Sequence, residues 1–337
     1  MQSLSVAVDM AGCPNRCRHC WLGNHRNGKM TTQELCDIAR QFSAYVQELT
    51  VHSWWREPDY RDDYRELWAL EQELSSPGMA KRFELLSIWR LARDESYASW
   101  AANLEPKVCQ ISFFGMEEST DWGIRRKGAF QDNMLATQRL LEVGIAPRWQ
   151  LFLTKRNLDD LDEFLRLVYK LDLHKHGEVF IGGISPEGAG YEIEGLRIEE
   201  NDLALIPKEL IDICREGTDL LGQPEYVLLE ELMQDNSPPN LTANVHCISI
   251  NADYDAYPNI AEPTSWWRLG NLKSNGVDAI IKTYLDETTP GMKANREIPI
   301  SMLARKYGNP NSKKLYHKDD LISRWMHEWG VEQKSII

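Results

Sequence analysis

The sequence predicts an α/β protein: six strand–helix alternations followed by a smaller C-terminal α+β extension. Three observations carry this. Short β-rich runs alternate with amphipathic helical runs at about 30-residue spacing, which is the pattern of βαβ units and a parallel sheet. After Gly190 that rhythm stops, and a hairpin with several helices takes over. Three of the chain's seven cysteines crowd into one loop, AGCPNRCRHCWLG, directly after the first strand. Parallel sheets gather their ligands at the carboxyl ends of their strands, so the loop stands where chemistry is expected.

Taken in order, SLSVAVDM (3–10) is the first strand. TTQELCDIARQFSAYVQEL is a helix whose Thr31 and Glu34 have capping-box spacing. LTVHSW (49–54) is a second strand, and a charged helix spans 59–74. FELLSI (83–88) is a third strand, with a helix over 95–104. KVCQISFFG (107–115) is the fourth strand, followed by GAFQDNMLATQRLLEVG, a periodic helix ending on Gly144. APRWQLFL is the fifth strand, and NLDDLDEFLRLVYKLDL is a helix with Asn157 as its expected N-cap. EVFIGGISPEG (178–188) is the sixth strand, running into a Pro/Gly loop. Beyond it, a helix is expected over 201–216, a hairpin in ANVHCISINADYDAYPNI with NADYD as its turn, and helices over 274–286, 298–307 and 319–329. The domains expected are 1–190 and 191–337.

The chain has 337 residues, 42% hydrophobic and 26% charged, enough for a sizeable core and an ordinary polar surface. Its formal net charge of -13 repels phosphate backbones and argues against nucleic acid as a partner. No apolar stretch reaches transmembrane length and no secretory pattern opens the sequence, so a cytoplasmic protein off the membrane is expected. In a reducing compartment, clustered cysteines read as metal or catalytic ligands rather than disulfides.

The cysteine spacing is C-x3-C-x2-C: Cys13, Cys17 and Cys20. Structural zinc usually takes four protein ligands, often as two C-x2-C pairs, and Cys36, Cys109, Cys214 and Cys247 are scattered singly. A cubane iron–sulfur cluster on three thiolates, with one iron left free, matches better. A zinc site or free thiols remain the alternatives.

On these residues the sequence resembles the radical S-adenosylmethionine (SAM) superfamily, whose signature is C-x3-C-x-(aromatic)-C after the first strand of a partial barrel. Cys13, Cys17 and Cys20 fill it, with His19 in the aromatic place. The resemblance implies a partial (β/α)6 TIM-like barrel carrying one 4Fe–4S cluster, with SAM as the second cofactor. It implies reductive cleavage of SAM to methionine and a 5′-deoxyadenosyl radical that abstracts hydrogen from a substrate. SWWREP (53–58) stands where the family has Gly-Gly-Glu-Pro, which meets the SAM amino group; Glu57 and Pro58 match, while Trp55 and Arg56 replace the glycines. CQISFFGMEESTDWGIRRKGAF resembles the fourth-strand segment of the subgroup with SPASM and twitch extensions. That resemblance implies that Ser112 and either Arg125 or Arg126 hold the SAM carboxylate, for which an arginine fork is the natural partner. FIGGISPEGAG resembles the sixth-strand loop near the adenine, which brings in Gly182.

DAYPNIAEPTSWWRLGNL resembles the SPASM or twitch extension itself, but Asn259 stands where a cluster cysteine is expected and no cysteine follows Cys247. The extension is expected to be degenerate, without an auxiliary cluster, which favours rearrangement or epimerisation over oxidation. The substrate expected is a small molecule or natural-product intermediate, with a peptide or protein side chain as the alternative and a non-catalytic iron–sulfur or zinc scaffold as the contrasting class. An external electron donor such as flavodoxin or ferredoxin is implied. Cys247 is expected to be a buried small residue or, on a hairpin folded over the site, a hydrogen-atom donor to a substrate radical. His52, His246, Asp253 and Tyr254 are expected to be surface or capping groups.

Overall fold

The computed structural model describes residues 1–79, 84–214, 221–241, 246–258 and 263–334. β1 (Ser3–Val8) and β2 (Glu48–His52) pair in parallel, joined across α1 (Thr32–Ser43). Thr31 and Glu34 form the expected capping box, and Leu35, Ile38, Ala39 and Phe42 make the buried stripe. α2 (Tyr64–Leu74) starts five residues later than the sequence suggests. Asp59 takes φ +54, a left-handed conformation that cannot continue a helix, and its buried carboxylate accepts a hydrogen bond from Tyr97.

The expected third strand does not form. Phe83 lies outside the described residues, and Ser87 instead caps α3 (Ile88–Arg93), its hydroxyl accepting from the Arg90 amide. The segment still runs beside the next strand: Glu84 O accepts from Gln110 N at 2.9 Å. After α4 (Tyr97–Ala102) comes β3 (Val108–Phe113), then α5 (Glu117–Ile124), which the sequence pattern does not announce. α6 (Ala129–Glu142), β4 (Ala146–Phe152), α7 (Leu161–Lys170), α8 (Leu173–His176) and β5 (Glu178–Gly182) follow. β3, β4 and β5 form a parallel three-stranded sheet. Asn157 does not cap α7; its amide donates to Phe114 O and Phe152 O, both at 2.8 Å, and so ties two strand ends together.

The single helix expected over 201–216 is a 3-10 turn (Glu200–Leu205) and α9 (Lys208–Ile213), divided at Pro207; residues 215 and 216 lie outside the described set. β6 (Gln223–Pro224) and α10 (Glu225–Leu232) lead to the expected hairpin, β7 (Cys247–Ile250) and β8 (Asp255–Pro258), then β9 (Gly270–Asn271) and α11 (Leu272–Leu285). α12 (Pro290–Glu297), absent from the sequence reading, begins at a Thr289 cap with Pro290 behind it. α13 (Ile300–Tyr307), β10 (Leu315–Tyr316) and α14 (Lys318–Lys334) complete the chain.

β7 pairs in parallel with β1, giving the first sheet the order β2-β1-β7-β8-β9. The hairpin therefore extends the sheet sideways; it does not fold over the strand ends as a lid. Residues after 190 also enter the two larger cores. One joins Val6, Phe42 and Val51 to Ile250, Trp267 and Trp325; the other joins Ile111, Trp149 and Phe164 to Leu210 and Leu315. Among the described residues, no helix is long and apolar enough to cross a membrane.

Candidate active site at the cysteine loop

The cysteine loop leaves the carboxyl end of β1 and is held from three sides. On the α5 side, Arg18 N donates to Gly123 O at 2.7 Å and Arg16 N to Ile124 O at 3.4 Å. Arg126, just past α5, donates from Nε to Asn15 Oδ1 at 2.7 Å, pairs with Asp132 at 2.6 Å and lies 5.3 Å from the Trp89 ring. On the β5 side, Ala189 N donates to Cys20 O at 2.9 Å. Gly188 has φ +59, and a Cβ there would stand 2.5 Å from Trp21 O, so only glycine permits this approach. On the β2 side stand Arg56 and Glu57.

A cavity of about 210 Å³ opens beside the loop, lined by all three cysteines together with His19, Arg56, Glu57, Ser112 and Asn133 among others. The three thiols are free and half-buried. Burial pushes all three thiol pKa values up, and the mutual repulsion of Cys17 with Cys13 and Cys20 adds to it. Glu57 is pushed up to about 7, first by burial, against the bond that Ser87 donates to it at 2.7 Å. His19 packs 4.1 Å from the Phe152 ring and 5.0 Å from Phe114, and its buried Nδ1 has no partner. Burial lowers its pKa to about 4, so the ring is neutral at neutral pH. Gln110, also on the cavity, donates to Gln150 at 2.6 Å, and Asn133 donates to Ser112 O at 2.8 Å.

No family model matches the sequence, and a search of curated proteins finds no match. Solved structures match it in fold. Native anSMEcpe with bound AdoMet (SAM) superposes with a TM-score of 0.55 at 13% identity, covering 99% of this chain and 98% of that one. The same protein with AdoMet and Kp18Cys peptide gives 0.53 at 13% identity, covering 98% and 97%. Streptococcus suis SuiB bound to the precursor peptide SuiA gives 0.51 at 15% identity, covering 86% of this chain and 65% of SuiB.

The fold is the α/β partial barrel of these AdoMet-bound structures.

Within that barrel, the donor set fits a cluster on three thiolates: three free thiols border one cavity at the carboxyl end of β1. Among the described residues no three potential ligands stand close enough to grip a single metal ion. Thiols that meet through a cubane attach to separate irons, so they need not converge on one point as the ligands of a mononuclear site do.

The structure brings His19, Glu57 and Ser112 to the cavity and sets Arg126 against the loop through Asn15. Arg125 sits in the left-handed C-cap position of α5 with its side chain exposed. Gly182 ends β5 opposite Phe152 and does not border the cavity. Trp55 lies beside the loop, its ring 5.9 Å from His25. Arg56 reaches the cavity, but its guanidinium binds Asp9 and two backbone carbonyls. Asp121 caps α6, accepting from Gly128 N and Phe130 N.

Cys247 pairs in register with Ser5 at the amino end of the sheet, and the register continues to Val8 opposite Ile250. Three residues of parallel strand, about 10 Å, separate it from the end where the cysteine loop begins. The hairpin's turn is what approaches the loop: Arg26 pairs with Asp253, and Gly28 sits against Ala252. Asn27, Asn15 and Asp9 escape sequence reading because no spacing rule marks a lone amide or carboxylate whose partner is backbone or distant in the chain.

Proposed function

We propose that this chain is a radical SAM enzyme whose Cys13, Cys17 and Cys20 hold one 4Fe–4S cluster, and that it acts on a peptide or protein side chain. The observation that carries the proposal is the placement of three free thiols on one cavity at the carboxyl end of β1. When bound, such a cluster supplies the electron that cleaves SAM into methionine and a 5′-deoxyadenosyl radical.

The residues of this chain bind, orient and exclude water. Glu57, with Ser112 nearby, offers acceptors for the amino group of SAM; Arg126 offers a guanidinium held in place by Asp132. His19 and Phe152 supply an apolar wall. The buried thiols release protons when they take up iron, so loading is expected to weaken at low pH.

The peptide reading draws support from the full-length match to a barrel solved with a peptide and from the match to SuiB with its precursor peptide. The small-molecule reading expected from the sequence has no comparable support. The C-terminal segment reads as a twitch-like extension without an auxiliary cluster. LGNL serves structure here: Gly270 and Asn271 form β9, and Asn271 caps α11. Asn259 lies outside the described residues. An external flavodoxin or ferredoxin would supply the electron.

The test is anaerobic incubation of the reconstituted chain with SAM and dithionite. The proposal expects slow release of 5′-deoxyadenosine; a chain that takes up iron yet forms none would defeat it.

A further inference from the structure

Arg56 stands where the resembled family has glycine, and the structure gives that arginine a task of its own. Its Nε donates to Asp9 Oδ2 at 2.8 Å, and a terminal nitrogen stands 2.7 Å from the same carboxylate. The other bonds run to His25 O at 2.9 Å and Arg26 O at 3.0 Å. The Arg56 side chain is 5% exposed and that of Asp9 1%. Asp9 follows β1 directly, and its amide donates to Ile250 O at 2.8 Å, so this anchor is part of the sheet. His25 and Arg26 lie beyond the last cysteine. The arginine therefore joins the start of the cysteine loop to its end.

A second pair of bonds closes the same gap. Cys13 N donates to Asn27 Oδ1 at 3.1 Å, and Asn27 Nδ2 donates to Cys13 O at 3.0 Å. Gly12, at φ +90, makes room: a Cβ there would stand 2.2 Å from Asn27 Oδ1 and 2.6 Å from an Arg56 terminal nitrogen. All three loop cysteines lie inside the segment these bonds close.

We infer that Arg56, completed by Asn27, is a positioning residue that closes the cysteine loop and gathers Cys13, Cys17 and Cys20 around the cavity before any cluster arrives. The inference rests on the radical SAM reading for the identity of the cluster. Closing the loop in advance removes conformational entropy that cluster uptake would otherwise have to overcome. A planar fork is needed to reach one carboxylate and two carbonyls together; an ammonium is a single point charge. Arg56→Lys thus keeps the charge beside Asp9 and loses the carbonyl bonds. Asn27→Ala removes the second pair from an exposed site, where folding is little affected.

The experiment has two arms. Amide hydrogen exchange on the metal-free chain should be about tenfold faster over residues 11–28 in both variants, the effect of losing one or two hydrogen bonds, with α6 and α7 unchanged. Iron loss from the reconstituted proteins to a ferrous chelator should be faster by a similar factor than in the parent. If Arg56→Lys does not fold, Asn27→Ala alone carries both arms. Unchanged loop exchange overturns the closure; faster exchange with unchanged iron loss overturns the positioning role. A parent chain that takes up no iron overturns the cluster reading instead, and the positioning role with it.

Discussion

Cysteine stands at opposite ends of two neighbouring strands of one sheet, and the two places could hardly differ more. Cys13, Cys17 and Cys20 follow the carboxyl end of β1; Cys247 opens β7 at the amino end, opposite Ser5. All four are half-buried and free, and burial raises all four thiol pKa values, that of Cys247 to about 12. Burial alone acts on Cys247, whereas the loop thiols also feel one another or the charges of Glu57 and Arg56. Exposure and residue type do not separate the proposed ligands from Cys247. Direction along the strand does, because in a parallel sheet only one end is open to ligands.

The largest expected effect would break that comparison outright if it failed. Cys17→Ala should abolish 5′-deoxyadenosine formation, and Cys247→Ser should leave it at the parent level, both read by chromatography of the quenched reaction. A hydrogen-atom donor acts after SAM is cleaved, so a Cys247→Ser variant that still forms 5′-deoxyadenosine but releases no modified substrate would return that thiol to the chemistry. Next, Arg126→Ala should weaken SAM binding by roughly 10- to 150-fold, the worth of one charge-assisted bond, while Arg125→Ala should change it little. Calorimetry with the reconstituted protein distinguishes them, and equal losses would mean that α5 presents both arginines to SAM.

A smaller effect sharpens the contrast at the hairpin turn. Glu34 accepts from Thr31 in the capping box and from the Tyr254 hydroxyl of the turn, which ties α1 to the hairpin. Thr31→Ala should cost about 0.5–2 kcal/mol in denaturant unfolding. These bonds lower the Glu34 pKa from 4.5 to about 2, led by the Thr31 amide. A depressed carboxyl stabilises the fold above its unfolded pKa, so the contribution should be complete above pH 4.5 and fade as pH falls toward 2. A Glu34→Gln variant whose stability follows pH as the parent's does would remove this link.

Much of this was legible locally. The capping box at Thr31, the hairpin around NADYD and the cysteine loop after β1 are each written within about twenty consecutive residues. What escaped depends on distant partners. The 84–87 segment has strand-like residues, but Ser87 caps a helix and one bond to Gln110 replaces a ladder. Asn157 looks like a cap and serves instead as a bridge between strand ends. The parallel pairing of β7 with β1 joins residues some 240 positions apart, and nothing in a hairpin's own alternation names the strand it will lie against. Arg56 reads as a departure from a glycine motif until Asp9, His25 and Arg26 are seen around it.

The central claim is that one loop, and no other part of the chain, holds one cluster. Iron and acid-labile sulfide counted after anaerobic reconstitution test it most directly, in the parent and in a Cys13, Cys17 and Cys20 triple alanine variant. The account expects about four of each per parent chain and none above background in the triple variant. About eight irons in the parent, or four retained in the triple variant, would contradict it.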